Sequence, residues 1–298
     1  MRFPDFFLLG AAKAGTSALQ YYINQHPDVC MAHPKEPFFF FTPEFLKGPE
    51  YYKKTYFRHY NGEKISGEAA HRSLFFPYVP ERIKQFNPNP KLLVILRNPI
   101  DRAISHYNFH VARGEEDRDF WSAIEDNLKR LENGPFFLTP EEGELYTRHK
   151  WNADKYYPTY LDTGHYAEHI ERYMGAFGKE SIRIYFAEEL RENPFPILNE
   201  VFDFLELSPF TPSAEKEVNA LAKPYVYSLY KAVGQIPFVS RISGRLRDFI
   251  KRSLAQSFKK SKEPTDPKIV TYLRDYYISH NERLSKLLNK DLSHWDNI

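Results

Sequence analysis

A single cysteine in 298 residues removes two possibilities at once. Cys30 has no partner for an intrachain disulfide, and no cysteine-rich metal site can form around it. Long apolar runs are also missing: no stretch approaches the roughly 18 consecutive apolar residues of a membrane-spanning helix. The N-terminal MRFPDFFLLGAAKAG has a short apolar run but neither a signal-peptide h-region nor a cleavage site. A soluble, cytoplasmic protein is therefore expected. Net charge is nearly absent, because 41 Lys and Arg against 39 Asp and Glu leave +2. That balance speaks against nucleic acid as the main partner. No repeat or low-complexity linker divides the chain, so one domain over residues 1–298 is expected.

What is present is a globular composition, 42% hydrophobic and 27% charged, ample for a buried core. Phe6–Leu9, Lys91–Leu96 and Ile182–Phe186 are short apolar, β-rich runs. Helical patterns follow them at Thr16–Gln25, from Arg102 (with Asp101 as cap) toward His110, and from about Pro196 to Leu205. The spacing also predicts a long final helix over Pro267–Leu288. Strands alternating with helices predict an α/β fold of three layers, P-loop-like, with a central mostly parallel sheet and helices on both faces.

The first strand runs into GAAKAGTSAL, residues 10–19. Glycines let backbone N–H groups approach an anion, and the following helix start offers unpaired donors and a positive dipole end. The nucleotide loop GxxxxGK, followed by Ser or Thr, places lysine directly after its second glycine. Here Lys13 precedes Gly15. An NTPase or kinase reading also lacks a convincing apolar strand ending in a Mg²⁺-holding Asp. The strand KLLVIL ends instead in Arg97, and Ser105 follows eight residues later. An arginine at the carboxyl end of a neighbouring parallel strand borders the same crevice. Two separate anion sites suit a nucleotide with phosphate at both ends; a nucleotide-binding scaffold without chemistry is the non-catalytic alternative.

FLLGAAKAGTSAL and LLVILRNPIDRAISHY resemble the 5′-phosphosulfate loop and 3′-phosphate motif of sulfotransferases that use 3′-phosphoadenosine 5′-phosphosulfate (PAPS). The resemblance is closest to the heparan sulfate and Golgi-type branch and its bacterial relatives. It extends through HPDV (26–29), KEPFFF (35–40), VPERIKQFNPNPKLLVILRNP (79–99), FAEELRENPFPILNEVFDFLELSP (186–209) and LSKLLNKDLSHW (284–295). It implies sulfuryl transfer from PAPS to an acceptor hydroxyl, with 3′,5′-ADP as product and no metal. By resemblance Lys13 contacts the sulfuryl group and the bridging oxygen of the leaving phosphate. Ala14, Gly15, Thr16, Ser17 and Ala18 would line the 5′-phosphate, and Arg97 with Ser105 would hold the 3′-phosphate.

The acceptor needs a base. Glu36 in KEPFFF matches the branch's glutamate base, and its aromatic neighbours suggest a carboxyl raised by desolvation. Read from the residues alone, Lys35-Glu36-Pro37 is a solvated turn before it is a catalytic site; the motif match reverses that order. Glu68 in ISGEAAHRSLF, after a short strand, matches a crevice glutamate that the heparan branch follows with Lys-Thr-Pro. This chain has Ala69, Ala70 and His71 there, which removes a second cation. His71 is a third candidate base, because imidazoles titrate near neutrality.

Residues 240–262 carry eight basic residues and one acid, on a helical apolar stripe. The bland reading is a packed helix with a solvated basic face. Alternatively Lys259, Lys260 or Lys262 closes over the 3′-phosphate, or the segment makes peripheral membrane contact. The aromatic stretches Phe38–Phe41, Tyr51–Tyr60 and Tyr156–Tyr160 are either core or an acceptor pocket. If they form a pocket, they favour a glycolipid, natural product or other hydroxylated small molecule over a highly sulfated polysaccharide, within an acceptor class of small molecules, glycolipids and saccharides.

Overall fold

Among the described residues, five short strands form one parallel sheet: β1 (Phe6–Gly10), β2 (Val29–Met31), β3 (Ile65–Ala69), β4 (Lys91–Leu96) and β5 (Ile182–Phe186). Their order is β2-β3-β1-β4-β5, so β1 and β4 occupy the centre. Phe7 stands opposite Glu68, Leu8 opposite Leu93, and Leu92 opposite Ile182. This computed structural model describes residues 4–112, 115–132, 134, 138–148, 159–213 and 265–296. The basic segment 240–262 and Lys262 lie outside the described residues.

Side chains alternate along a strand, so a strand covered on both faces reads as an unbroken apolar run. Phe7, Leu9, Leu92, Val94 and Leu96 enter one core cluster. There they meet α2 (Gly48–Tyr56), α3 (Val79–Phe86), α7 (Tyr166–Phe177) and the last helix, α10 (Pro267–Leu288). Phe6, Leu8, Leu93 and Ile95 enter the opposite cluster with α1 (Thr16–Ile23), α8 (Ala187–Glu192) and α9 (Pro194–Phe204). The three-layer expectation therefore holds. A third cluster joins α4 (Pro99–Ala112), α5 (Phe120–Glu132) and α10. A short helix α6 (Pro140–Arg148) lies between these in sequence.

Several boundaries differ from the sequence expectation. α4 starts at Pro99 rather than Arg102, because Asn98 Oδ1 accepts the Ile100 N–H at 2.9 Å and proline suits the first helical position. Asp101 pairs with Arg97 instead of capping. Asn98 Nδ2 also donates to the Trp295 carbonyl, tying the β4–α4 turn to the chain's end. α1 stops at Ile23, and α9 starts at Pro194 behind the side-chain cap of Asn193. Glu68 lies within β3 rather than after it.

Most described aromatics of these stretches go to the core, although Tyr51 is half-buried and Tyr60 is exposed. Phe39, Phe40, Phe41, Tyr52 and Tyr160 are buried, and only Phe38 of its run is exposed. The Phe39 and Phe40 rings contact Tyr52 and Phe86. Residues 156–158 are not among those described.

Candidate active site

The β1–α1 connection crosses the carboxyl end of the sheet, held there by an Ala11 N–H bond to the Ile95 carbonyl at 2.7 Å. Lys13 and Gly15 adopt positive φ of 66° and 102°. Glycine suits the second position, which is the N-cap of α1 and makes no side-chain cap. The first-turn N–H groups there have no side chain competing for them. Gly10 is needed for closeness: a Cβ there would stand 2.9 Å from Leu74 Cβ. Ala14 and Thr16 are buried, while Lys13, Ser17 and Ala18 are half-buried at the loop. Lys13 Nζ rests 4.1 Å from the centroid of the Phe109 ring on α4.

Lys35 joins this loop, and the sequence reading gave it no role. Its ammonium donates to Ser17 Oγ across the top of the sheet. Burial lowers its pKa, with Glu36 opposing that shift. The sequence signal was its place beside Glu36 in KEPFFF; its partner was invisible because strand order brings them together.

Glu36 also has a positive φ, 60°, and its N–H donates to the Ala69 carbonyl at 3.2 Å. This places its side chain beside the turn after β3, where His71 Nδ1 lies 2.7 Å from Glu36 Oε1. Burial alone would raise this carboxyl. The charge and hydrogen bond of His71, followed by Arg72 and Lys35, outweigh that effect and hold it well below the usual carboxylate range. The expected raised Glu36 is thus corrected: Phe39, Phe40 and Phe41 face the core, and three basic side chains surround the carboxylate. An anionic Glu36 accepts the Nδ1 proton, which leaves Nε2 of His71 as the basic nitrogen.

Glu68 has the opposite environment. It is 1% exposed, accepts a hydrogen bond from the Tyr52 hydroxyl at Oε2, and leaves Oε1 buried without a partner. Burial pushes its carboxyl up to about 8, against the lowering effect of Tyr52. At neutral pH it is mainly protonated, which makes it a donor rather than a base.

At the end of β4, Arg97 Nη2 bonds Asp101 Oδ2 at 2.9 Å, and Arg97 Nε is buried without a partner. The Tyr166 hydroxyl holds the Arg97 carbonyl at 2.9 Å. Ser105 is half-buried one helical turn beyond Asp101. Arg102 does not share that side; it is fully buried and donates to the Tyr160 carbonyl. Farther along α4, buried His110 pairs with Glu115 at 2.7 Å. Buried His106 is pushed well down by burial, then by the charges of His110, Arg102, Lys13 and His71. The fields of Lys13 and His71 thus converge on one face of α4. The sequence reading missed this histidine pair, although its spacing of four is visible in HYNFH.

A sequence profile described as "Sulfotransferase domain" matches residues 3–234. Mouse (Mus musculus) heparan sulfate glucosamine 3-O-sulfotransferase 5 is 27% identical over 290 residues, covering 97% of this chain and 73% of that protein. Mouse bifunctional heparan sulfate N-deacetylase/N-sulfotransferase 4 is 26% identical, across 96% of this chain and 30% of that protein. A crystal structure of a sulfotransferase from Alicyclobacillus acidocaldarius superposes with a TM-score of 0.67 at 25% identity, covering 99% of each chain.

Proposed function

The chain belongs to the sulfotransferase-domain family, and from that premise we propose that it moves a sulfuryl group from PAPS to a saccharide hydroxyl, with Glu36 and His71 acting as one base. The observation that carries this reading is their 2.7 Å contact beside the β1–α1 loop. His71 Nε2 takes the acceptor proton. Glu36 fixes the ring through Nδ1 and balances the imidazolium that forms.

The residues present fit the donor nucleotide. The α1 start has no side-chain cap, and Arg97 keeps an orphaned buried Nε. Backbone and hydroxyl donors of Gly15, Thr16 and Ser17 hold the 5′-phosphate, with Lys35 steadying Ser17; the Ala14 and Ala18 N–H groups already bond the Ala11 and Gly15 carbonyls and only line the loop. Arg97 and Ser105 hold the 3′-phosphate. PAPS supplies the sulfuryl group on a phosphate leaving group. Lys13 stabilises the negative charge that grows on the leaving oxygen, an effect of ~3 kcal/mol for one well-placed donor. Glu68, protonated beneath the crevice, keeps negative charge away from the transferring group.

Two considerations favour a saccharide over a glycolipid or another hydroxylated small molecule. The two curated relatives described above are heparan sulfate enzymes by name. Most described aromatics of the stretches that favoured an apolar acceptor, among them Phe39–Phe41, Tyr52, Tyr56 and Tyr160, are core. Thermal-shift measurements with 3′,5′-ADP and with MgATP test the nucleotide. Stabilisation by 3′,5′-ADP without metal is expected; stabilisation by MgATP alone refutes the reading. Labelled PAPS with saccharide, lipid and phenol panels then tests the acceptor.

A further inference from the structure

We propose that His165, Glu168 and His280 form a zinc site that clasps α7 to α10. One ligand atom from each lies within 4.8 Å of the others. His165 is the N-cap residue of α7 and Glu168 stands in its first turn, so a spacing of three places both at one end of the helix. His280 comes from the middle of α10, four residues after Tyr276. None of the three belongs to the crevice described above, and the inference does not rest on the sulfotransferase reading.

The donor set is specific. Two imidazoles and one carboxylate, with a fourth position for water, suit Zn²⁺, whereas Mg²⁺ and Ca²⁺ prefer oxygen alone. A second layer already orients one ligand: the Tyr276 hydroxyl lies 2.9 Å from His165 Nε2, which leaves Nδ1 for the ion. The His280 ring nitrogens make no hydrogen bond among the described residues; its ring contacts are with His165, Tyr276 and Tyr277. The Glu168 carboxylate is held only loosely by Arg283, at 3.5 Å, and Arg283 has Glu171 as a second partner.

Zinc–nitrogen bonds of about 2.0–2.1 Å in a tetrahedral site set ligand atoms about 3.3–3.4 Å apart. A pair at the 4.8 Å limit must therefore close by about 1.4 Å, a side-chain movement. The His165 and His280 rings now stack in parallel, 4.0 Å apart at 5°, and must tip so that their lone pairs converge. His280 is half-buried on a helix surface and can do this by a side-chain rotation. The clasp would brace the Arg97 end of the crevice at one remove, because Tyr166, next to His165, holds the Arg97 carbonyl.

The test uses the full chain, stripped with a chelator and titrated with Zn²⁺ alone. Uptake of one equivalent is expected. At about a hundredfold excess over Kd, Tm should rise by about 5 °C, and Mg²⁺ should have no effect. His280→Ala, whose folding is checked by its metal-free Tm, should abolish both uptake and shift. Glu168→Gln should weaken binding by about tenfold or more. Absence of stoichiometric uptake overturns the proposal. So does a Zn²⁺ shift that persists undiminished in His280→Ala, since the ion would then be held by other histidines.

Discussion

Glu36 and His71, 35 positions apart in sequence, meet at 2.7 Å between Oε1 and Nδ1. The contact assigns the two residues different tasks. Glu36 is held too acidic to take a proton efficiently near neutrality, so it serves His71. Glu36→Gln and His71→Ala should each reduce kcat by about 10²–10⁴-fold, with 3′,5′-ADP binding retained. Because the residues act as a unit, the double variant should be no slower than the slower single variant. Losses that multiply in the double variant would separate the two roles.

Glu68 should leave its mark on stability as a function of pH. Its folded-state carboxyl is raised from 4.5 to about 8. Below pH 4.5 it is protonated in both states and costs nothing. As pH rises toward 8 the unfolded chain releases the proton first, so stability falls, on the order of a few kcal/mol in total. Glu36 has the opposite sign: its depressed carboxyl stabilises the fold above its ordinary 4.5 and loses that contribution as pH falls. Urea unfolding at pH 5.5 and 8.0 should therefore show Glu68→Gln gaining on the unmodified protein as pH rises. Parallel profiles would mean that Glu68 is ionised in the fold.

Gly67 is predicted to be intolerant of a single methyl group. A Cβ there would stand 2.1 Å from Phe6 Cζ, on the neighbouring strand. Phe6 is fully buried, so its ring has no open space to enter. Gly67→Ala should cost about 1–3 kcal/mol by overpacking, read as a lower urea midpoint with an unchanged m-value. No change in the midpoint would show that the two strands can separate freely.

Gly67 and Glu68 also explain what the sequence concealed. β1, β4 and β5 are legible because strands covered on both faces read as apolar runs. β3 carries glycine where Phe6 needs room and an acid where Tyr52 offers a hydroxyl, so ISGEA reads only as a short, indistinct strand. β2 is three residues long, too short for any period to register. The loop and Arg97 were legible as candidates because the residues of each anion site are local in sequence. The pairs Glu36–His71 and Lys35–Ser17 were not, since parallel strand order creates them. The direction of the Glu36 shift failed for the same reason: its aromatic neighbours are adjacent in sequence, but Arg72 and His71 are adjacent in space.

Lys35 should matter for nucleotide binding more than for turnover. Its ammonium bonds Ser17 in the first turn of α1, so it adds a cation where an anion would sit and fixes that turn. Lys35→Met should weaken 3′,5′-ADP binding by roughly tenfold, while Ser17→Ala, which keeps the cation, should cost less. Calorimetric titration measures both. Equal affinities for Lys35→Met and the unmodified protein would remove Lys35 from the site.

Arg97 offers the sharpest discrimination between nucleotides. Its guanidinium is held by Asp101 at 2.9 Å, and the side chain as a whole is only 21% exposed. A 3′-phosphate must therefore compete with a carboxylate for the same fork, and a phosphate dianion does so with more charge and more acceptor oxygens. Arg97→Ala should weaken 3′,5′-ADP binding by roughly tenfold or more and leave 5′-AMP, which lacks the 3′-phosphate, unaffected. Asp101→Asn should move the other way, tightening 3′,5′-ADP because it removes the competing charge. An equal loss for both nucleotides in Arg97→Ala would mean that the arginine supports the crevice generally and that the second phosphate is held elsewhere.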